Sequence, residues 1–171
     1  MDLLPYCRPQ NLVVYNTFLD DLARQNLVLI GEDHFNPRHT KNEQAIIRDL
    51  QRRGRIFLLA AEDIFSSDIY IPKVAALRRF YVDQIFQLPS DGQAMADSLG
   101  EVPEGILTIA IVGEEHTNRG GDRISVDKLV KRMREGIRCA TVFQRENKTN
   151  PEIYRLQTAA NQDYVLVGQL S

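Results

Sequence analysis

All three histidines of this 171-residue chain fall in, or just beyond, two short turns written in nearly the same words. One is Gly31-Glu32-Asp33-His34 and the other is Gly113-Glu114-Glu115-His116; each directly follows an apolar run, Leu29-Ile30 and Ile111-Val112. At this composition one Gly-Glu-x-His is expected by chance roughly 0.01 times in the chain, so two copies are no accident of composition. The third imidazole, His39, closes the loop Phe35-Asn36-Pro37-Arg38-His39 behind the first turn. A glycine straight after a strand lets the backbone turn sharply and lets a ligand come close. If both strands are parallel members of one sheet, both turns share its carboxyl edge, where open α/β sheets hold their ligand crevice. By the same logic Leu58-Leu59-Ala60-Ala61-Glu62-Asp63 brings Glu62 and Asp63 to that edge. Two imidazoles and several carboxylates then converge on one cleft.

Such a cluster has three uses. A histidine oriented by a carboxylate deprotonates water near neutral pH, because its ordinary pKa is about 6.5. Two histidines and a carboxylate, here His34, His116 and Glu62, bind a divalent metal such as Mn, Zn or Fe and activate its water. The same groups also hold a ligand without turnover. Competing constellations are weaker. Ser66 and Ser67 sit in no Gly-x-Ser-x-Gly elbow, and Cys139 lies in an apolar run where a thiol behaves as a small hydrophobe. The stretch Thr117-Asn118-Arg119-Gly120-Gly121-Asp122-Arg123 reads either as a loop that clamps an anionic group, with Arg119 facing the substrate, or as a plain connector. Neither a phosphate-binding GxxxxGK[ST] nor a GxGxxG pattern is present.

The elements that must position these residues are legible in outline. Five short apolar runs stand out, Leu27–Ile30, Ile56–Ala61, Ile106–Val112, Ile137–Phe143 and Tyr164–Val167, and most are apolar on both faces, as strands covered on both sides are. Helical patterns lie between them. One spans Leu12–Gln25; one starts at Thr40, where Thr40-Lys41-Asn42-Glu43 fits a capping box. The stretch from Pro72 to Leu99 reads as two helices broken at Pro89-Ser90-Asp91-Gly92. Ser125 caps a helix ending at Gly136, and Asn150-Pro151-Glu152 opens a last one. The expectation is a single α/β domain over 1–171: a three-layer sandwich with a mainly parallel sheet of about five strands and a small helical insertion.

Composition narrows the partners. The chain is 43% hydrophobic and 26% charged with a net charge of −2, an ordinary globular balance without the basic field that nucleic acid or an anionic membrane would require. The longest apolar run is far short of a membrane span. The opening Met1-Asp2-Leu3-Leu4-Pro5 lacks the basic start and apolar stretch of a signal peptide. Cys7 and Cys139 make no disulfide framework. The expected setting is cytoplasmic, with a small-molecule or peptide substrate, no nucleic acid, no membrane, and a homodimer left open.

At these residues the chain resembles the erythromycin-esterase/ChaN-like superfamily, which includes TraB and Tiki-type proteins, and most of all its ChaN-like haem-binding uptake group. The resemblance rests on LVLIGEDH (Leu27–His34) with the Asn-Pro-x-His loop, FLLAAED ending past Glu62, IAIVGEEH (Ile109–His116), CATVF (Cys139–Phe143) and the strand Asp163–Val167. It implies an α/β sheet with helical insertions and a cleft lined by the two turns and Glu62. The esterase branch implies His34 as general base, Glu62 and His116 orienting water or substrate, and Glu32 or Glu114 fixing the imidazoles, with His39, Asp33, Glu115 and Arg119 around the substrate. The Tiki branch implies metal-dependent peptide hydrolysis, and the ChaN branch haem binding. The leading expectation is a hydrolase in which this His/Glu cluster activates water on an ester, amide or phosphoester, with or without a metal. Non-catalytic binding of haem, iron or another small ligand in the same cleft is the alternative, and an interaction module on a degenerate hydrolase scaffold the third.

Overall fold

A computed structural model describes residues 7–33, 36–54, 57–62, 85–101, 105–117, 124–146, 150–158 and 161–170. The apolar runs become the centre of a sheet: β2 (Leu27–Glu32), β3 (Phe57–Glu62), β5 (Leu107–Gly113), β6 (Cys139–Arg145) and β8 (Asn161–Val167). Every residue of β2 and β5 is buried, as expected of strands with helices on both faces. Three further strands, β1 (Leu12–Val13), β4 (Ile85–Leu88) and β7 (Glu152–Thr158), complete the order β1-β7-β8-β6-β2-β5-β3-β4. The sheet therefore has eight strands among the described residues, not about five. All pairings from β8 to β4 are parallel, whereas β7 runs antiparallel to both β8 and β1.

The expected sandwich forms. On one face α1 (Tyr15–Leu22) and α2 (Pro37–Arg52) place Phe18, Leu22, Ile46, Ile47 and Leu50 against Val28, Ile30, Ile109, Ile111 and Val142. On the other, α3 (Gly92–Gly100) and α5 (Val126–Met133) place Met95, Ala96, Leu99, Val126 and Val130 against Leu27, Leu29, Ala110 and Val112. Each fully buried aliphatic side chain contributes about 2 kcal/mol of transfer free energy. Between β5 and α5 lies a one-turn helix, α4 (Glu114–Thr117).

Four expectations are corrected. Leu12 and Val13 open no helix; they pair as an edge strand with Tyr154 and Ile153, and α1 begins only at Tyr15. The second helix starts at Pro37, where Asn36 accepts from the Arg38 backbone N–H and proline takes the first turn, so His39 is helical rather than in a loop. Glu43 is accordingly no capping-box residue: it is fully buried and accepts from the Gln144 side chain. The segment after Asn150-Pro151 is β7, because Ile153 and Tyr154 bury against opposite sides of the sheet and the chain returns directly as β8. In the middle stretch, 63–84 lies outside the described residues, and with it most of the expected helical insertion and Ser66 and Ser67. Its described end is β4 followed by α3, whose N-terminus Asp91 caps through the Gln93 and Ala94 N–H groups.

Candidate functional site

The chain leaves β2, crosses one face through α2 and enters β3; it leaves β5, crosses the opposite face through α5 and enters β6. The two crossovers depart in opposite directions from neighbouring strands, so the point between β2 and β5 is a topological switch point, the place at the carboxyl edge where open α/β sheets hold ligands. Both Gly-acid-x-His turns start there. Glu32 stands opposite Gly113 in the register.

Three side chains meet on the β5 side. Glu62, at the end of β3, is buried; its Oε2 accepts the Gly113 backbone N–H at 2.7 Å, and that bond aims Oε1 at His116 Nε2, 3.1 Å away. His116, 9% exposed, stands on α4, with its Nδ1 turned toward α3, where a Cβ on Gly92 would lie 3.6 Å from it. Glu115 is exposed and brings Oε1 to 4.0 Å from His116 Nε2. One ligand atom from each of Glu62, Glu115 and His116 lies within 4.8 Å of the others. Donors about 2.1 Å from a metal ion stand roughly 3.0–3.5 Å apart at octahedral or tetrahedral angles, so this nitrogen and two carboxylates have the chemistry and close to the spacing of a first-row divalent cation site.

The backbone permits this crowding through its glycines. A Cβ on Gly113 would stand 2.6 Å from the Glu115 carboxylate, and a Cβ on Gly31 would stand 2.7 Å from Thr117 Oγ1. The latter hydroxyl donates to the Glu114 carbonyl and so closes α4 over the end of β2.

The β2 side is arranged differently. Glu32 is the last, buried residue of the strand. Asp33 follows, and its N–H donates to His39 Nδ1 at 2.9 Å. His39 is buried, which pushes its pKa below the ordinary value against the pull of Glu146, Asp33 and Glu114. The Glu114 carboxylate pairs with Arg145 at 2.7 Å, joining the turn after β5 to the end of β6. His34 and Arg119 lie outside the described residues. Cys139 is buried in β6, and burial pushes its thiol up to about 12, which suits a packing role.

Sequence reasoning missed the polar bracket beneath the crevice. Gln144 donates to the Gly31 carbonyl at 3.2 Å and to Glu43 at 3.1 Å, while accepting from Asn42 at 3.0 Å. Asn42 also donates to the Gly168 carbonyl and accepts the Leu170 N–H. A buried glutamine in a strand and an Asn-Glu pair on a helix were the available signals, since such groups are buried only when partnered.

Comparison with known proteins places this architecture. No family model matches the sequence, and no curated protein matches it. Among solved structures, one described as cofacial heme binding to ChaN of Campylobacter jejuni superposes with a TM-score of 0.65, covering 90% of this chain and 91% of that one. The chain has the ChaN fold. The sequences are 11% identical over the match, so the likeness between the ChaN structure and this one is of architecture. No helix among the described residues is long and apolar enough to cross a membrane.

Proposed function

We propose that this chain binds an iron centre, as the ion or as haem, without turnover, in the crevice at the carboxyl edge of its sheet. Glu62, Glu115 and His116 are the metal-facing groups, and His34 joins them on its sequence position alone. The observation that carries the reading is the buried His116–Glu62 pair with the Glu115 carboxylate beside it at the switch point. One imidazole nitrogen with two carboxylates suits Fe, Mn and Zn alike; the ChaN neighbour, described by its haem binding, favours iron among them. Loading requires His116 to give up the Nε2 proton it shares with Glu62, so uptake releases a proton or shifts it to Nδ1, and affinity falls as the pH drops. Hydrolysis of an ester, amide or phosphoester draws no support from the comparisons.

The test is a titration of the chain, purified without a histidine tag, with Fe(II) under anaerobic conditions and separately with haemin, read by calorimetry and absorbance. Saturable one-site binding weakened at least about 100-fold by His116→Ala is the expected result. Unchanged affinity in that variant overturns the reading. Turnover of a p-nitrophenyl ester that His116→Ala abolishes replaces it with the hydrolytic one.

A further inference from the structure

A buried imidazole ties the first turn to the helix behind it. His39, in the first turn of α2, is 5% exposed, and its Nδ1 accepts the Asp33 N–H. A ring nitrogen that accepts carries no proton, so the proton of the neutral ring is on Nε2. Nε2 is buried and has no hydrogen-bond partner among the described residues. The neutral state therefore holds the turn while leaving one donor unsatisfied, a combination that sits close to its alternative. The charged groups around the ring come from every neighbouring element: Asp33 from the turn after β2, Glu114 from α4, Arg145 and Glu146 from the end of β6, with Glu43 one turn along α2. Arg145 is already paired with Glu114.

We propose that His39 is the positioning residue of the β2–α2 turn and that its protonation releases the turn. A proton on Nδ1 sets two N–H donors face to face, so the Asp33 amide loses its acceptor. The imidazolium, charged in a buried slot, is drawn out toward the Asp33, Glu114 and Glu146 carboxylates. The Asp33 end of β2 then parts from α2 at the crevice edge. The consequence for a bound ligand rests on the iron reading above; the release itself does not. The ring binds its proton less readily folded than unfolded. Stability from this tie is thus intact above about pH 6.5, declines as the pH falls, and is gone below the folded-state value.

The experiment follows the full chain by nitrogen-15 NMR from pH 8 to pH 4, reading the His39 ring nitrogens and the exchange protection of the Asp33 amide. His39→Asn is the companion variant: its side-chain oxygen occupies the place of Nδ1 and accepts, but does not titrate. In the wild type, Asp33 protection falls at least about tenfold in step with the His39 ring, at a midpoint below 6.5; in His39→Asn it persists across the range. Three results overturn the proposal: an Asp33 amide indifferent to ring titration, the same loss in His39→Asn, or a ring that stays neutral until the whole chain unfolds. If His39→Asn fails to fold, coincidence or separation of the ring and amide midpoints in the wild type decides. The iron titration runs at pH 8, where His39 is neutral in either case, so its failure and this one are distinguishable.

Discussion

The two turns that look alike on paper are displaced by one residue in space. Glu32, the acid of the first, is still in β2 and pairs in register with Gly113, the glycine of the second. The strand of the second turn ends at its glycine, and Glu114 already belongs to α4. One residue of offset sends the matching acids to different fates: Glu32 is buried, whereas Glu114 leans out to Arg145. The offset also separates the histidine partners, since the second turn delivers His116 to Glu62 while the first spends its Asp33 amide on His39. Nearly identical words at two strand ends therefore specify where a turn occurs, and the register specifies which side chain of the turn does the chemistry.

Substitutions can break this comparison at several strengths. Glu62→Ala strands both the buried Gly113 N–H and His116 Nε2, and is expected to lower unfolding stability by about 2–4 kcal/mol in urea melts. A loss under about 0.5 kcal/mol would mean that Glu62 does not organise the second turn. Gly31→Ala drives its methyl into Thr117 Oγ1 in a packed interior, for a loss of about 1–3 kcal/mol. Pairing it with Thr117→Ala should recover part of that loss, a coupling visible in a double-mutant cycle. Gly113→Ala sharpens the contrast. The nearest atoms its methyl meets belong to the far end of the exposed Glu115 side chain, which can swing away. Stability should change by less than about 0.5 kcal/mol while metal affinity drops about tenfold, because the displaced carboxylate no longer faces His116. The smallest effect belongs to Glu114→Gln, whose partly exposed pair with Arg145 is worth at most about 0.5 kcal/mol and should fade further in salt. A larger loss would give Glu114 a role that matches Glu32 after all.

The central strands could be read from sequence because both their faces are covered, which makes Leu27–Ile30 apolar throughout and Ile106–Val112 apolar but for Thr108. The margin could not. The hairpin strand β7 follows Asn-Pro-Glu, a local helix-start signal, and only its long-range pairing with β8 and β1 overrides it. At α2 two start signals competed four residues apart, at Asn36 and at Thr40, and the Asn36-Pro37 cap prevailed because Glu43 is needed in the interior by Gln144. In the site, Glu62 and His116 were legible as strand-end residues. Glu115 was legible as a residue around the substrate but not as a neighbour of His116 Nε2, since that approach depends on the missing Cβ of Gly113. The Gln144–Asn42–Glu43 bracket joins residues about a hundred positions apart and leaves no local pattern to find.

The pairing of Leu12 with Tyr154 carries a consequence for how the polypeptide is made. During synthesis the strand that emerges early has no place to dock until the β7–β8 hairpin has left the ribosome, because β7 exists as a sheet member only once β8 supports it. The nascent chain must therefore carry Leu12 and Val13 unpaired until that hairpin forms, and this margin of the sheet closes only then.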